Sequence, residues 1–438
     1  MTAKDQARSR IGAAADQLLE LSHRIHAHPE TAWTEHRAAG WLTDALERLG
    51  YAVTRGACEL PTAFSASIGS GELHLGICAE YDALPGLGHA CGHNIIAATA
   101  IGAATGLAGV ADQLGLTVTV LGTPAEEGGG GKILMLDRGA FDGLHAAMMI
   151  HPGPADAGRA EPFAVDHQHI SYRGTAAHAA AYPELGVNAA DAFTIAQVAI
   201  GLLRQQLPAS VRVHGIVTHA GLAPNAIPDR AEGRWYVRAA SLAELDWIEP
   251  RIRACFQAGA LATGCELTIK PESPRYAEFR NDEQLLDLFL ANARDLGRPF
   301  TGSGARARMN RASTDMGNIS LRLPAIHPYL GIDSLPAVNH QPEFAAHCAT
   351  PAADRAVIDG ATALAATVID AAPATTYATA SCTRPAPDAH DITGACPGPP
   401  HRADRNPAEP PGCGTGGGQS RAAPLRPHHR REDRQVTE

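Results

Sequence analysis

Apolar positions recur at three- and four-residue intervals through the first fifty residues, then begin to alternate. In "AADQLLELSHRIHAHP", Leu18, Leu21 and Ile25 share one helical face and Pro29 stops the run. In "TEHRAAGWLTDALERLGY", Trp41, Leu42, Ala45, Leu46 and Leu49 do the same, and Gly50 ends the helix. "GELHLGICAEYDALP" alternates at Leu73, Leu75 and Ile77 and predicts a strand. "NIIAATAIGAATGLAG" predicts a helix of small residues with Asn94 as its cap. "GLTVTVLGTP" predicts a strand, "GKILMLDRGAF" a helix and "LHAAMMIHPGP" one further strand. Such alternation predicts an α/β fold, a mainly parallel sheet covered by helices.

The rhythm changes near residue 166. "HQHISYRGTAAHAAA", "SVRVHGIVTHAG" and "DRAEGRWYVRAAS" predict strands of a smaller sheet, separated by two helical stretches. Near residue 280, "NDEQLLDLFLANARDLG" restarts the first pattern, which ends in the helix "DRAVIDGATALAATVIDAA". The expected organisation is one domain from 1–165 and 280–372, with a smaller α+β domain, 166–279, inserted into it. Residues 373–438 hold 11 of the 31 prolines and only four of Ile, Leu, Val and Tyr. That segment has too little apolar area to offset its ordering entropy and is expected to be disordered.

The 438 residues suffice for a large core, and their formal charge of −10 argues against a nucleic-acid or anionic-membrane partner. No run approaches the roughly 20 apolar residues of a membrane span. The first 25 residues read as a polar, then amphipathic helix without the apolar stretch of a signal peptide, which points to the cytoplasm. Nine scattered cysteines do not suggest a disulfide framework.

Five places carry chemistry: Cys91-Gly-His93, Glu126-Glu127 in "TPAEEGGGGK", His151 in "MMIHPG", His178 in "GTAAHAAAYPELGVN" and His340 in "VNHQPEF". The first three fall at C-terminal ends of expected strands, where ligands bind in open α/β sheets. Singly, each reads as an ordinary turn or loop. Together, one thiolate, three imidazoles and a carboxylate suit two Zn²⁺ or similar ions, and a second, free glutamate can carry the proton of an activated water. The glycine run is not a phosphate loop, because Glu126 stands at its first glycine and Ile133 follows Lys132; no His-Glu-x-x-His is present. His23, His26 and His28 read as helix surface, His89 as a residue beside the metal site, and His167 and His169 as solvated.

Across roughly residues 10–372 the chain resembles the dinuclear-metal amidohydrolases and peptidases of the aminoacylase/carboxypeptidase G superfamily. "HPETAWTE", "EYDALPGLGHACGHN", "GTPAEEGGGGK", "MMIHPG", "GTAAHAAAYPELGVNA", "GLAPNAIPDRAEGRWYVRA", "STDMGNIS" and "NHQPEF" occur in that order. The resemblance implies a ferredoxin-like lid and dimerisation domain, two divalent ions (Zn or Mn) and a homodimer or higher oligomer acting on a small amide or dipeptide. It implies Cys91, His93, Glu127, His151 and His340 as metal ligands, Glu126 as general base and acid, and Asp82 as the acid that orients a ligand. His178 would reach a neighbouring active site and stabilise the oxyanion. Asn225 and Arg238 would hold the substrate, with His327 lining its pocket. "CGHNII", where hippurate- and auxin-conjugate enzymes carry Cys-Gly-His-Asp, points to the aminobenzoyl-glutamate hydrolase branch and its β-alanyl-lysine-type dipeptidase relatives. The alternative is a binding protein on the same fold that holds a metal or an acylated amino acid without cleaving it.

Overall fold

The computed structural model describes residues 1–300 and 304–373, and side chains at all of these except 304–307. The expectation of a disordered tail therefore lies, Pro373 apart, outside the described residues. A six-stranded sheet runs in the order Ala52–Arg55, Phe64–Ile68, Leu116–Gly122, Leu73–Ala79, Ala146–Met148, Ala325–Ile326. The last four are mutually parallel, while the first two pair antiparallel along one edge. These edge strands escape the sequence pattern because the outermost is mostly exposed and polar.

Helix His93–Leu107 is buried at every residue. Its small side chains let helix Pro351–Ala371 approach closely: a Cβ on Gly102 would lie 2.6 Å from the Ala361 methyl. Asn94 does not cap this helix. Gly92 takes the cap position in the left-handed region (φ 85°), so Asn94 falls inside the first turn. There its amide donates to Ser22 Oγ (3.0 Å) and the Cys348 carbonyl (2.9 Å).

The expected single strand over "LHAAMMIHPGP" is two. Ala146–Met148 belongs to the large sheet, and His151–Gly153 leaves it to pair in parallel with Tyr329–Gly331. His151 opens that second strand.

Residues 164–271 build a separate antiparallel sheet ordered Glu266–Pro271, Ala164–Arg173, Arg230–Ala239, Arg212–His219. With helices Ala189–Leu203 and Leu242–Thr263 between its strands, the order is βαββαβ, the ferredoxin-like arrangement. It has its own core, in which Phe193 stacks on Trp235 at 5.1 Å and Trp235 meets Phe256 edge-on at 5.4 Å. Its fourth strand, Glu266–Pro271, alternates half-buried and exposed positions and has no strong apolar signal.

Candidate metal centre

Two loops beyond the parallel strands, with strand His151–Gly153, bring the chemistry together. The loop after Leu73–Ala79 carries Glu80, Asp82 and Cys91 and leads into His93; the loop after Leu116–Gly122 carries Glu126 and Glu127. Gly92 is required between Cys91 and His93, since a Cβ there would lie 2.4 Å from Pro152 Cγ and 3.3 Å from Cys348 Sγ.

Three candidate ligand groups result among the described residues, and two of them share a sulfur. The donor atoms of Cys91, His93 and His151 all lie within 4.8 Å of one another, and so do those of Cys91, Glu127 and His340. Cys91 belongs to both and lies 3.5 Å from His151 Nε2. His340 Nε2 is 3.3 Å from Glu127 Oε1. His93 Nε2 and Glu127 Oε1 are buried without hydrogen-bond partners, as expected of atoms reserved for a cation. Thiolate, imidazole and carboxylate in tight groups sharing one sulfur fit two borderline divalent ions. Asp82 holds the arrangement: its Oδ1 pairs with His93 Nδ1 (2.9 Å) and its Oδ2 accepts the Glu127 N–H (2.9 Å). This leaves His93 Nε2 as the free donor to a metal.

Burial alone would raise the Cys91 thiol, but the neighbouring His151, His340 and His93 outweigh it and hold it well below its usual range. Burial lowers His93, and Asp82 and Glu80 more than compensate, so it binds a proton more tightly than a free imidazole. Glu126 is pushed well up by burial and by the charges of Glu80 and Glu127. Glu126 Oε2 sits 4.0 Å from His93 Nε2, and Glu80, His93 and Glu126 form the third group, which lacks the shared sulfur.

A cavity of about 1070 Å³ opens over these residues and includes Glu126, Glu127, His151, His340, Arg238 and His327 in its walls. Arg238 donates to Ser313 Oγ (2.5 Å) and faces His214 (3.2 Å). His327 is fully buried, packed among His151, Phe279 and Tyr329, with both ring nitrogens unpartnered. His178 and Asn225 are exposed and do not line this cavity. They lie side by side on paired loops, with the Ala179 N–H donating to the Asn225 carbonyl at 3.0 Å.

His167 is not solvated: it is buried, bonded to Ser273 Oγ (2.8 Å), and lines the cavity. His89 is buried and stacked near His26, outside the cavity wall. Sequence reasoning missed a buried ionic cluster. Lys132 Nζ meets Glu80 Oε1 at 2.6 Å and Asp315 Oδ1 at 2.7 Å, all three side chains fully buried. Asp315 lies in "STDMGNIS" and Lys132 ends the glycine run, so the motifs marked the segments but not their pairing.

The arrangement is that of a metal-dependent hydrolase: two ligand groups sharing a thiol, a further carboxylate beside them and a cavity over both. The model of peptidase family M20/M25/M40 matches residues 76–370, and the chain belongs to that family. It is 40% identical to Xaa-Arg dipeptidase of Mus musculus over 382 residues, 84% of this chain and 88% of that protein. It is 34% identical to one of the p-aminobenzoyl-glutamate hydrolase polypeptides of Escherichia coli K12 over 275 residues, 58% of this chain and 57% of that one. Among solved structures, a dinuclear metal binding peptidase of the M20 family from Bacillus subtilis shares the fold with a TM-score of 0.60 at 22% identity, covering 82% of this chain and 99% of that one. The chain is a metal-dependent hydrolase of amide bonds in small molecules, dipeptides or acyl amino acids. No described helix is long and apolar enough to cross a membrane.

Proposed function

We propose that the chain binds two divalent ions, zinc or manganese, in the Cys91–His93–His151 and Cys91–Glu127–His340 groups, and that Glu126 carries the proton in hydrolysis of a dipeptide or N-acyl amino acid. The observation that carries this reading is the sharing of Cys91 by two ligand groups, with Glu126 outside both and 4.0 Å from His93. Bound there, the ions would supply an acidified water and a polarised amide carbonyl. Glu126 takes one proton from the attacking water; the water oxygen bonds the amide carbon, the C–N bond breaks, and Glu126 delivers the proton to the departing amine. Asp82 fixes the tautomer of His93 and the backbone of Glu127. Arg238, with no carboxylate salt bridge among the described residues, is placed to grip the substrate's carboxylate with its planar fork. His327 closes the cavity behind His151 against the substrate's apolar part.

His178 and Asn225, exposed on one pair of loops, would act at the site of a second copy in a homodimer, His178 holding the oxyanion. The ferredoxin-like unit would then serve as lid and dimerisation domain, inserted at 166–279 between the halves 1–165 and 280–372. The six free thiols of the described residues fit a cytoplasmic setting.

The test is amine release by mass spectrometry from aminobenzoyl-glutamate, hippurate, an indole-acetyl amino acid and β-alanyl-lysine, with Zn²⁺ or Mn²⁺ and with a chelator control. Chelator-sensitive cleavage of at least one member, abolished in Glu126→Gln with metal still bound, is the expected result. Near-normal turnover by Glu126→Gln would refute the proton-carrier role. Mixing inactive His178→Ala with inactive Glu126→Gln should restore activity if the histidine serves its partner's site. An inert mixture of exchanged dimers would place it elsewhere.

A further inference from the structure

The backbone that presents Glu126 is strained on one side. Ala125 is fully buried and left-handed, with φ 56°. For alanine this conformation is disfavoured by roughly tenfold or more in population, so it persists only where its surroundings impose it. Three side chains hold the turn. Glu35 Oε1 accepts the Ala125 N–H at 2.9 Å, the Tyr276 hydroxyl donates to the Glu126 carbonyl at 2.7 Å, and Asp82 Oδ2 accepts the Glu127 N–H at 2.9 Å. The Glu126 carboxyl itself makes no hydrogen bond among the described residues.

Glu35 is the unexpected member of this set. It stands at the N-cap position of helix His36–Arg48, where an acceptor ordinarily serves its own helix, yet its side chain makes no capping bond. Glu30 does that work instead, accepting the Arg37 and Ala38 N–H groups at 3.0 Å. The Glu35 carboxyl turns inward, fully buried, and its Oε2 has no hydrogen-bond partner. Helix capping does not account for this carboxyl, whose backbone partner lies on the loop that carries Glu126. The same segment also braces the loop that carries Asp82, since the Ala83 N–H donates to the Glu30 carbonyl at 2.8 Å.

We infer that Glu35 is a positioning residue for Glu126: by holding Ala125 left-handed it aims the Glu126 carboxyl at the substrate while Glu127 faces the metal. The inference rests on Glu126 as proton carrier, and its test carries a readout that does not depend on that role. Glu35→Met removes the acceptor at similar volume, and Glu35→Gln keeps it. Ala125→Gly removes the conformational penalty, because glycine enters the left-handed region freely.

On a panel substrate that the wild type cleaves, Glu35→Met should lower kcat about tenfold with KM and metal content unchanged, and Glu35→Gln should stay within about twofold. Glu35→Met/Ala125→Gly should recover most of the loss. Independently of turnover, hydrogen exchange followed by mass spectrometry should speed up in peptides spanning 124–130 in Glu35→Met and not in Glu35→Gln. Should Glu35→Met fail to fold, Glu35→Asp, whose carboxyl is drawn back by one methylene, takes its place, with a smaller loss and the same rescue. Unchanged exchange at 124–130 overturns the inference even if no substrate is cleaved. So does wild-type kcat in the acceptor-deleted variant, or a double variant as slow as the single one, which would mark Glu35 as structural only.

Discussion

Replacing Lys132 with methionine removes the ammonium that joins two buried carboxylates. Its ammonium lies 2.6 Å from Glu80 and 2.7 Å from Asp315, and its own backbone N–H donates to the second oxygen of Asp315 at 2.9 Å. With all three side chains sealed from water, burial alone would push both carboxyls up. Lys132 instead holds Glu80 down, to about 2, while Asp315 remains raised, to about 6. Deleting one partner of a buried ion pair typically costs about 3–5 kcal/mol, because the other charge stays buried and unpaired. Here Asp315 is stranded and Glu80 keeps only His93, 3.4 Å away, beside the already raised Glu126, so the loss should fall in that range. At about 2 °C per kcal/mol for a chain this large, Tm should fall by about 6–10 °C in calorimetry of the metal-free protein. Adding Glu80→Gln and Asp315→Asn to Lys132→Met removes the stranded charge and should recover a substantial part of the loss. A Lys132→Met protein within about 1 kcal/mol of wild type, or a triple variant no more stable than the single one, would refute the reasoning.

Three other outcomes follow from the geometry. Gly92→Ala forces φ 85° on an alanine and drives its methyl to 2.4 Å from Pro152, next to His151; the expected cost is about 2–5 kcal/mol, read by denaturant unfolding, with metal affinity reduced as well. In Asp82→Asn one oxygen becomes a donor facing either the His93 Nδ1–H or the Glu127 N–H, so metal affinity should fall about 10–100-fold in a competitive chelator titration. Burial, with help from Asp82, raises the Glu35 carboxyl to about 7 from an unfolded value of 4.5. The folded state therefore binds more protons than the unfolded chain between those values, and this group's stabilisation is lost as pH rises through the window. Relative to wild type, metal-free Glu35→Gln should gain about 3 kcal/mol on going from pH 4 to pH 8; a difference independent of pH would contradict that burial argument.

Much of the site was legible because its parts are local. Cys91-Gly-His93 and Glu126-Glu127 each sit on one turn after a strand whose alternation is plain, and the order of motifs did the rest. The remainder depends on contacts between distant segments. Lys132 and Asp315 are 183 positions apart, so neither marks the other in the sequence. Glu35 ends the motif "HPETAWTE", but the loop it contacts lies 90 positions away and the motif does not mark that pairing. Asn94 looked like a cap because glycine's freedom at position 92 shifts the start of the helix. His167 carries no periodic signal, yet its strand packs its polar face under the cavity against Tyr236 and Tyr276. The split of the strand at Met149 and Ile150 was hidden in an unbroken apolar run, where alternation cannot register a change of sheet.

The proposed centre holds two metal sites that share one thiolate. The direct measurement is metal content per chain, by mass spectrometry of the protein loaded with Zn²⁺ or Mn²⁺ and freed of excess ion. Two ions per wild-type chain are expected, one after His151→Ala or His340→Ala, and neither site intact after Cys91→Ala, since Cys91 belongs to both ligand groups. A wild-type chain that saturates at one ion, or a Cys91→Ala chain that still holds two, would contradict the account.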